Sequence, residues 1–216
     1  MNAQVLNTPP SVEYHCGEKN GVSIQLTQFG DPEDREWHLL LSVTDPLMDF
    51  QSQLKQVFDT YRAMVSQEHA VTCFMRVFLS DSATQTNAVE EQLMEDRGFP
   101  YSVVEQPPAN GTKVALWVWM LSHAESHALN SGLYEVSTPH ATLYWATGLA
   151  EACGTSKEQT ALILQQYVMM LIQEGLTLAG NCQRTWFYVN DVDNQYTGRM
   201  KARNDLFVTQ GLTSDT

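Results

Sequence analysis

The sequence has 216 residues, with 12 Lys+Arg against 25 Asp+Glu and a formal net charge of -13. Phosphate neutralisation needs Lys and Arg, so this balance excludes nucleic-acid binding through a broad basic surface. Hydrophobic residues make up 43% and charged residues 17%, enough to build a core, and the length allows one large domain or two small ones.

Residues 1–20 read as an irregular arm, without the basic and apolar regions of a secretory signal. Two strand-like runs follow, 22–29 (VSIQLTQF, alternating) and 37–43 (WHLLLSV, more fully buried). A helix is then expected, with Leu47, Phe50, Leu54, Val57, Phe58, Tyr61, Met64 and Val65 on its apolar face. Asp45 is placed as its N-cap, with Pro46 at the first helical position. VTCFMRVFL, 71–79, is a central strand by its β-branched and aromatic content. A second helix runs from Ser82 to about Met94, ended by Gly98 and Pro100. A short strand at 101–105, a Pro-Pro-Ala-Asn-Gly turn and a buried strand at 113–121 (KVALWVWML) complete a first unit, 21–122.

The stretch 123–140 is expected to be a linker. In it His123 and His127 stand four apart and would share a face if helical, as metal ligands do, but no third ligand is evident and no metal is expected. The second unit, 141–216, restarts the pattern: a strand at 141–147, a loop at 148–154, and a helix from Ser156 to about Glu174. Leu164, Tyr167, Val168, Leu171 and Ile172 share one face of that helix. A strand is expected at 182–189 (CQRTWFYV) and a helix from Asp193 to about Phe207.

No apolar run approaches the ~20 residues needed to span a bilayer, so no membrane is expected. Cys16, Cys73, Cys153 and Cys182 form no C-x-x-C pair and read as reduced thiols of a cytoplasmic protein. Neither a Gly-rich phosphate loop nor a G-x-S-x-G elbow occurs, and no cofactor is implied.

A shift of 110 residues puts Leu54 on Leu164, Val57 on Tyr167, Phe58 on Val168, Phe78 on Tyr188, Leu79 on Val189 and Asp81 on Asp191. A helix face and a strand ending in x-Asp recur in step, the signature of an internal repeat. At the same offset the strands at 101–121 would fall at about 211–231, so the second unit is expected to lack its closing strands. An open sheet edge of that kind must be covered, blunted or paired.

Residues 142–207 resemble the RidA/YjgF family, also labelled endoribonuclease L-PSP. The resemblance rests on Thr147-Gly148, on Ser156-Lys157-Glu158-Gln159 where the family has Thr-x-x-Gln, on Val189-Asn190-Asp191 and on Tyr196. It extends more weakly over 37–121, and two RidA-like halves in one chain are similar to the chorismatases. The resemblance implies an α+β fold of two RidA-like (chorismate-mutase-like) β-sheet units with helices packed on one face, the second incomplete. It also implies a homo-oligomer, trimer or pseudo-trimer, and a hydrolase of the imine-deaminase or chorismatase type acting on a small carboxylate metabolite. The alternative is a catalytically degenerate ligand-binding or structural oligomer. In the family an Arg grips the substrate carboxylate, and a bidentate guanidinium suits that planar group. Here Tyr101 stands where that Arg should be.

The remaining cation with a suitable setting is Arg184. Alternation puts Arg184, Trp186, Tyr188 and Asn190 on one face of their strand. Such a face serves equally to line a small pocket or to pack under a helix or a partner subunit. Tyr144, on the neighbouring expected strand, joins Arg184, Tyr188 and Asn190 as a candidate ligand-binding residue, and no catalytic group is assigned. Asp191 is expected to cap the last helix, with a general base as the alternative. Cys153 is a loop thiol without a nearby His in sequence.

Overall fold

The computed structural model describes residues 11–30, 34–96, 98–130 and 132–212. Their architecture is α+β, with a mixed six-stranded sheet, a three-stranded sheet and helices. They divide into two units, Met1–Trp145 and Ala146–Thr216.

The first unit opens on three strands, β1 (Ser11–Lys19), β2 (Val22–Gly30) and β3 (Arg35–Val43), each antiparallel to the next. Part of the expected irregular arm is thus a strand, while residues 1–10 lie outside the described residues. The reason is local: the β1–β2 turn is Asn20-Gly21, at φ 52° and 75°, the pair that best tolerates two left-handed residues in a hairpin. Next come α1 (Phe50–Glu68), β4 (Val71–Leu79), α2 (Ser82–Met94), β5 (Tyr101–Glu105) and β6 (Val114–Leu121). The sheet order is β1-β2-β3-β6-β4-β5. β6 is antiparallel to both neighbours, and β4 and β5 are parallel, a pairing that needs the crossover α2 supplies.

Period-two alternation sorts this sheet into two faces. Leu39, Leu41 and Val43 of β3, Met75, Val77 and Leu79 of β4, and Leu116, Val118 and Met120 of β6 lie on one of them. Leu54, Val57, Phe58 and Tyr61 of α1 and Val89 and Leu93 of α2 pack on that same face and complete the main core.

The first helix begins later than its periodicity suggests. Asp49, not Asp45, is the N-cap: its carboxylate accepts the Ser52 amide at 3.0 Å and the Ser52 hydroxyl at 2.7 Å. Asp45 instead accepts the Leu47 amide at 2.9 Å in the preceding turn, which leaves Leu47 90% exposed rather than on the core face.

The expected linker at 123–140 contains two strands, β7 (Glu125–Asn130) and β8 (Leu133–Ser137), which pair antiparallel. With β9 (Thr142–Ala146) they form the three-stranded sheet. Its polar composition hid one fact: Leu133 and Val136 are buried, and Val136 joins Cys73, Leu121 and Ala124 in a second small core. His127 therefore lies on a strand, so its spacing of four from His123 does not put the two on one helix face.

The second unit contains α3 (Ser156–Gln173), the single turn α4 (Leu178–Asn181) and α5 (Val192–Thr209). Val168, Leu171 and Leu178 form its core, with Tyr167, Leu206 and Phe207 against it. Ile172, expected on the buried face of α3, is 58% exposed. Residues 182–189 have no regular secondary structure, against the expected strand. A strand exists only by pairing, and no strand lies within the described residues from 147 to 212. Among the described residues no helix is long and apolar enough to cross a membrane.

Carboxylates hold the starts of α1, α2, α3 and α5, with Asp81 capping α2. Asp49 is held below its usual range chiefly by the Ser52 hydroxyl, Asp191 by the Asn194 side chain, and Glu158 by the Thr155 amide in a capping box. A carboxylate with a depressed folded-state pKa stabilises fully above its unfolded pKa and loses that contribution as pH falls through the lower folded value. Helical circular dichroism should therefore begin to fall below about pH 4. The double variant Asp49→Asn, Asp191→Asn keeps two neutral caps and should flatten that acid limb. Identical acid limbs in the two proteins would contradict this.

Candidate functional site

The candidate residues of the second unit lie on the segment between α4 and α5. Exposure alternates along it: Arg184, Trp186, Tyr188 and Asn190 are exposed, and Thr185, Phe187 and Val189 are half-buried. The facing expected from alternation is therefore present without the ladder. The Arg184 guanidinium carbon lies 5.5 Å from the centre of the Trp186 ring, a cation–π distance. On the other side Phe187 sits under Arg199 of α5, at 5.5 Å, and Arg199 also covers Tyr196 at 5.3 Å. That stack draws one side of the segment toward α5 and leaves Arg184 on the other.

Asp191 ends this segment as the N-cap of α5. Its carboxylate accepts the Asn194 amide at 3.1 Å and the Asn194 side-chain NH₂ at 2.6 Å. Both donors favour the ionised form and lower its pKa, which makes Asp191 a structural cap and a weak base.

Tyr144 belongs to the first unit, half-buried on β9. Its hydroxyl donates to Glu135 of β8 at 3.1 Å. Arg184, Tyr188 and Asn190 share one segment, and Tyr144 stands on an element of the other unit. Tyr101 is half-buried against the main core, with its hydroxyl donating to Glu90 of α2 at 2.6 Å. A substrate carboxylate brought to that position would meet the Glu90 carboxylate instead of a cation.

The first unit also carries a polar-aromatic cluster that sequence reasoning missed, on the sheet face opposite the helices. Arg76 of β4 is 5% exposed. Its Nε donates to Ser102 Oγ at 3.1 Å, and its guanidinium lies 4.9 Å from Phe74 and 5.4 Å from Trp117. His38 stacks on Trp117 at 5.8 Å and 5°, and its Nε2 is 2.9 Å from Glu36. Trp145 stacks on Phe74 at 4.5 Å and meets Trp119 edge-on at 5.2 Å. The available signal was parity: Trp117 and Trp119 are two apart in a buried strand and must share a face. Burial pushes the nearby Cys73 thiol up to about 12, so it stays protonated and unreactive.

Among the cavities of the described surface, two lie away from the candidate residues. One, of about 150 Å³, is lined by Lys19, Asn20, Gln56 and Asp59 among others. The other, about 450 Å³, lies beside Cys153, Gly154, Glu158 and Leu162. Neither includes a candidate ligand-binding residue. Among the described residues no group of three or more His, Cys, Asp or Glu is placed to hold a metal ion. No family model matches the chain, and comparison with curated proteins finds no match.

Proposed function

We propose that this is a RidA/YjgF-like protein that binds or acts on a small carboxylate metabolite, in the manner of an imine-deaminase or chorismatase-type hydrolase. The observation that carries the reading is the exposed Arg184 guanidinium, backed by Trp186 and followed on the same face by Tyr188 and Asn190. A guanidinium fork donates two parallel hydrogen bonds to a planar carboxylate, and an aromatic ring behind it limits the orientations it can take. Tyr188 and Asn190 add neutral hydrogen-bonding groups for a carbonyl or imine beside the carboxylate. The first unit supports the family reading by its element order, three strands, helix, strand, helix and two strands, with both helices on one face.

A second reading is a ligand-binding or structural protein without catalysis. The contact between Tyr101 and Glu90 favours it, because the position of the family arginine carries a phenol bound to an acid.

Thermal titration separates these from a chain that binds no carboxylate. The chain is heated with chorismate, with simple 2-oxo acids and with 2-imino acids generated in place. A ligand present at 100 times its dissociation constant stabilises by about 2.7 kcal/mol. Arg184→Ala removes a charged hydrogen-bond pair and should weaken that ligand by roughly tenfold to a hundredfold. If no compound raises the melting point and Arg184→Ala behaves as the parent does, the carboxylate reading fails. Stabilisation without turnover selects the second reading.

A further inference from the structure

The two strands that end the six-stranded sheet are β1 and β5, and they end it differently. β5 is five residues long, and its Glu105 carboxylate accepts the Ser82 amide of α2 at 2.9 Å. β1 is nine residues long and pairs along one edge only, with β2, among the described residues. Its side chains from Val12 to Lys19 are exposed on both faces of the strand. Two of them are large and apolar, Val12 at 64% and Tyr14 at 62% exposure. Neither a proline nor a bulge interrupts β1. A long, regular, partly apolar edge is a template for another strand.

The hairpin fixes which backbone groups of β1 face outward. Lys19 and Val22 close the two-residue turn, so they exchange both hydrogen bonds. Alternation then turns the N–H and C=O of Lys19, Gly17, His15 and Glu13 toward β2. Those of Val12, Tyr14, Cys16 and Glu18 point away from it.

We propose that β1 pairs antiparallel with β1 of a second copy of this chain, about a two-fold axis at Tyr14, and so joins two sheets edge to edge. The strand is self-complementary in that register. Tyr14 stands opposite Tyr14, Val12 of one copy opposite Cys16 of the other, and Glu13 opposite His15. On one face Val12, Tyr14 and Cys16 of both copies make one apolar row. It extends a contact present within a single copy, where Cys16 Sγ donates to the Tyr14 hydroxyl at 2.8 Å. On the other face acid and imidazole alternate across the pair, as Glu13 Oε2 and His15 Nε2 already meet at 3.4 Å within one copy. No like charges stand opposite each other. Other registers lose this match. An axis at Glu13 sets two carboxylates face to face, and an axis at His15 or Cys16 sets Val12 or Tyr14 against Glu18. The outward groups of Val12, Tyr14 and Cys16 in each copy are the ones the new ladder bonds. A two-fold pairing uses the same edge twice, so association stops at two copies. A single strand pair falls below the ~1,200 Å² of a stable complex, so the dimer should be reversible. The pairing rests on β1 alone and does not require the carboxylate reading above.

Sedimentation and hydrogen exchange of the full chain, from about 1 μM to about 1 mM, test this. The mass should rise from one copy toward two. Over the same range the amides of Val12, Tyr14 and Cys16 should slow by about tenfold or more, while those of Glu13, His15 and Gly17, already bonded to β2, change little. Tyr14→Pro removes an outward N–H and leaves every β1–β2 bond in place, so it should remain a single copy. Tyr14→Lys sets two ammonium groups opposite each other on the axis and should weaken association by roughly tenfold. Val208→Lys, at a position of α5 that is 66% exposed, should associate as the parent does. A single copy at the highest concentration overturns the proposal. So does a dimer that both Tyr14 variants leave intact, or one that protects none of the amides of Val12, Tyr14 and Cys16.

Discussion

Phe58→Ala should destabilise the first unit by about 3–5 kcal/mol, a fifth or more of the roughly 5–15 kcal/mol a typical domain has. Phe58 is fully buried on α1, where the helix meets β3 and β6. Its ring meets Tyr61 edge-on at 6.2 Å and lies 5.6 Å below the Arg62 guanidinium. Truncation loses the transfer energy of the ring and leaves a cavity that a sheet on one side and a helix on the other cannot close. Arg62 is a second loss, because it leads from α1 to α2: Nε donates to Asp96 at 2.9 Å and an NH₂ group to the Gln92 carbonyl at 3.0 Å. Without the ring beneath it, that guanidinium loses its apolar support and the α1–α2 contact loosens. Urea unfolding should show a lower midpoint with little change in slope. Leu162→Ala, on the exposed side of α3 with 47% of its surface in solvent, is the control and should cost little. Equal losses for the two variants would mean that the main core is not where the sheet and α1 meet.

Phe58 was legible in the sequence, as was most of its layer. The 3.6-residue stripe of α1 and the alternation of β2 each encode a buried face locally, the apolar runs of β3 and β6 mark them as buried strands, and the main core is these elements brought together. What local patterns do not encode is pairing. β1 is exposed throughout its described side chains and carries no core signature, so only its Asn-Gly turn announces it. Residues 182–189 show the converse, a strand pattern that joins neither sheet among the described residues. Arg76 is hidden for the same reason. Its partners Ser102 and Trp117 stand 26 and 41 positions away and arrive only when β5 and β6 flank β4. For the candidate site, alternation correctly put Arg184, Trp186, Tyr188 and Asn190 on one side. It could not reveal the Glu90 partner of Tyr101, which α2 brings up against β5.

Gln53→Leu should cost about 1–3 kcal/mol although it adds apolar surface to a buried site. Gln53 is a polar residue with no solvent exposure, on the first turn of α1. Its Oε1 accepts the Lys113 backbone amide at 2.7 Å, and its Nε2 donates to the Met48 carbonyl at 2.8 Å. One side chain thereby ties the turn before α1 to the start of β6, 60 residues apart in the chain. Leucine is close in volume, so the loss comes from orphaning the Lys113 amide, not from a void. The Met48 carbonyl keeps a second donor, Lys113 Nζ at 2.9 Å. Lys113→Met alone should therefore cost little, because Gln53 still serves that carbonyl. The double variant leaves it with neither donor, and its loss should exceed the sum of the single losses by about 0.5 kcal/mol or more. A double-mutant cycle by urea unfolding measures this term. Strict additivity would show that the two donors act independently and that the Gln53 contact does not organise the loop.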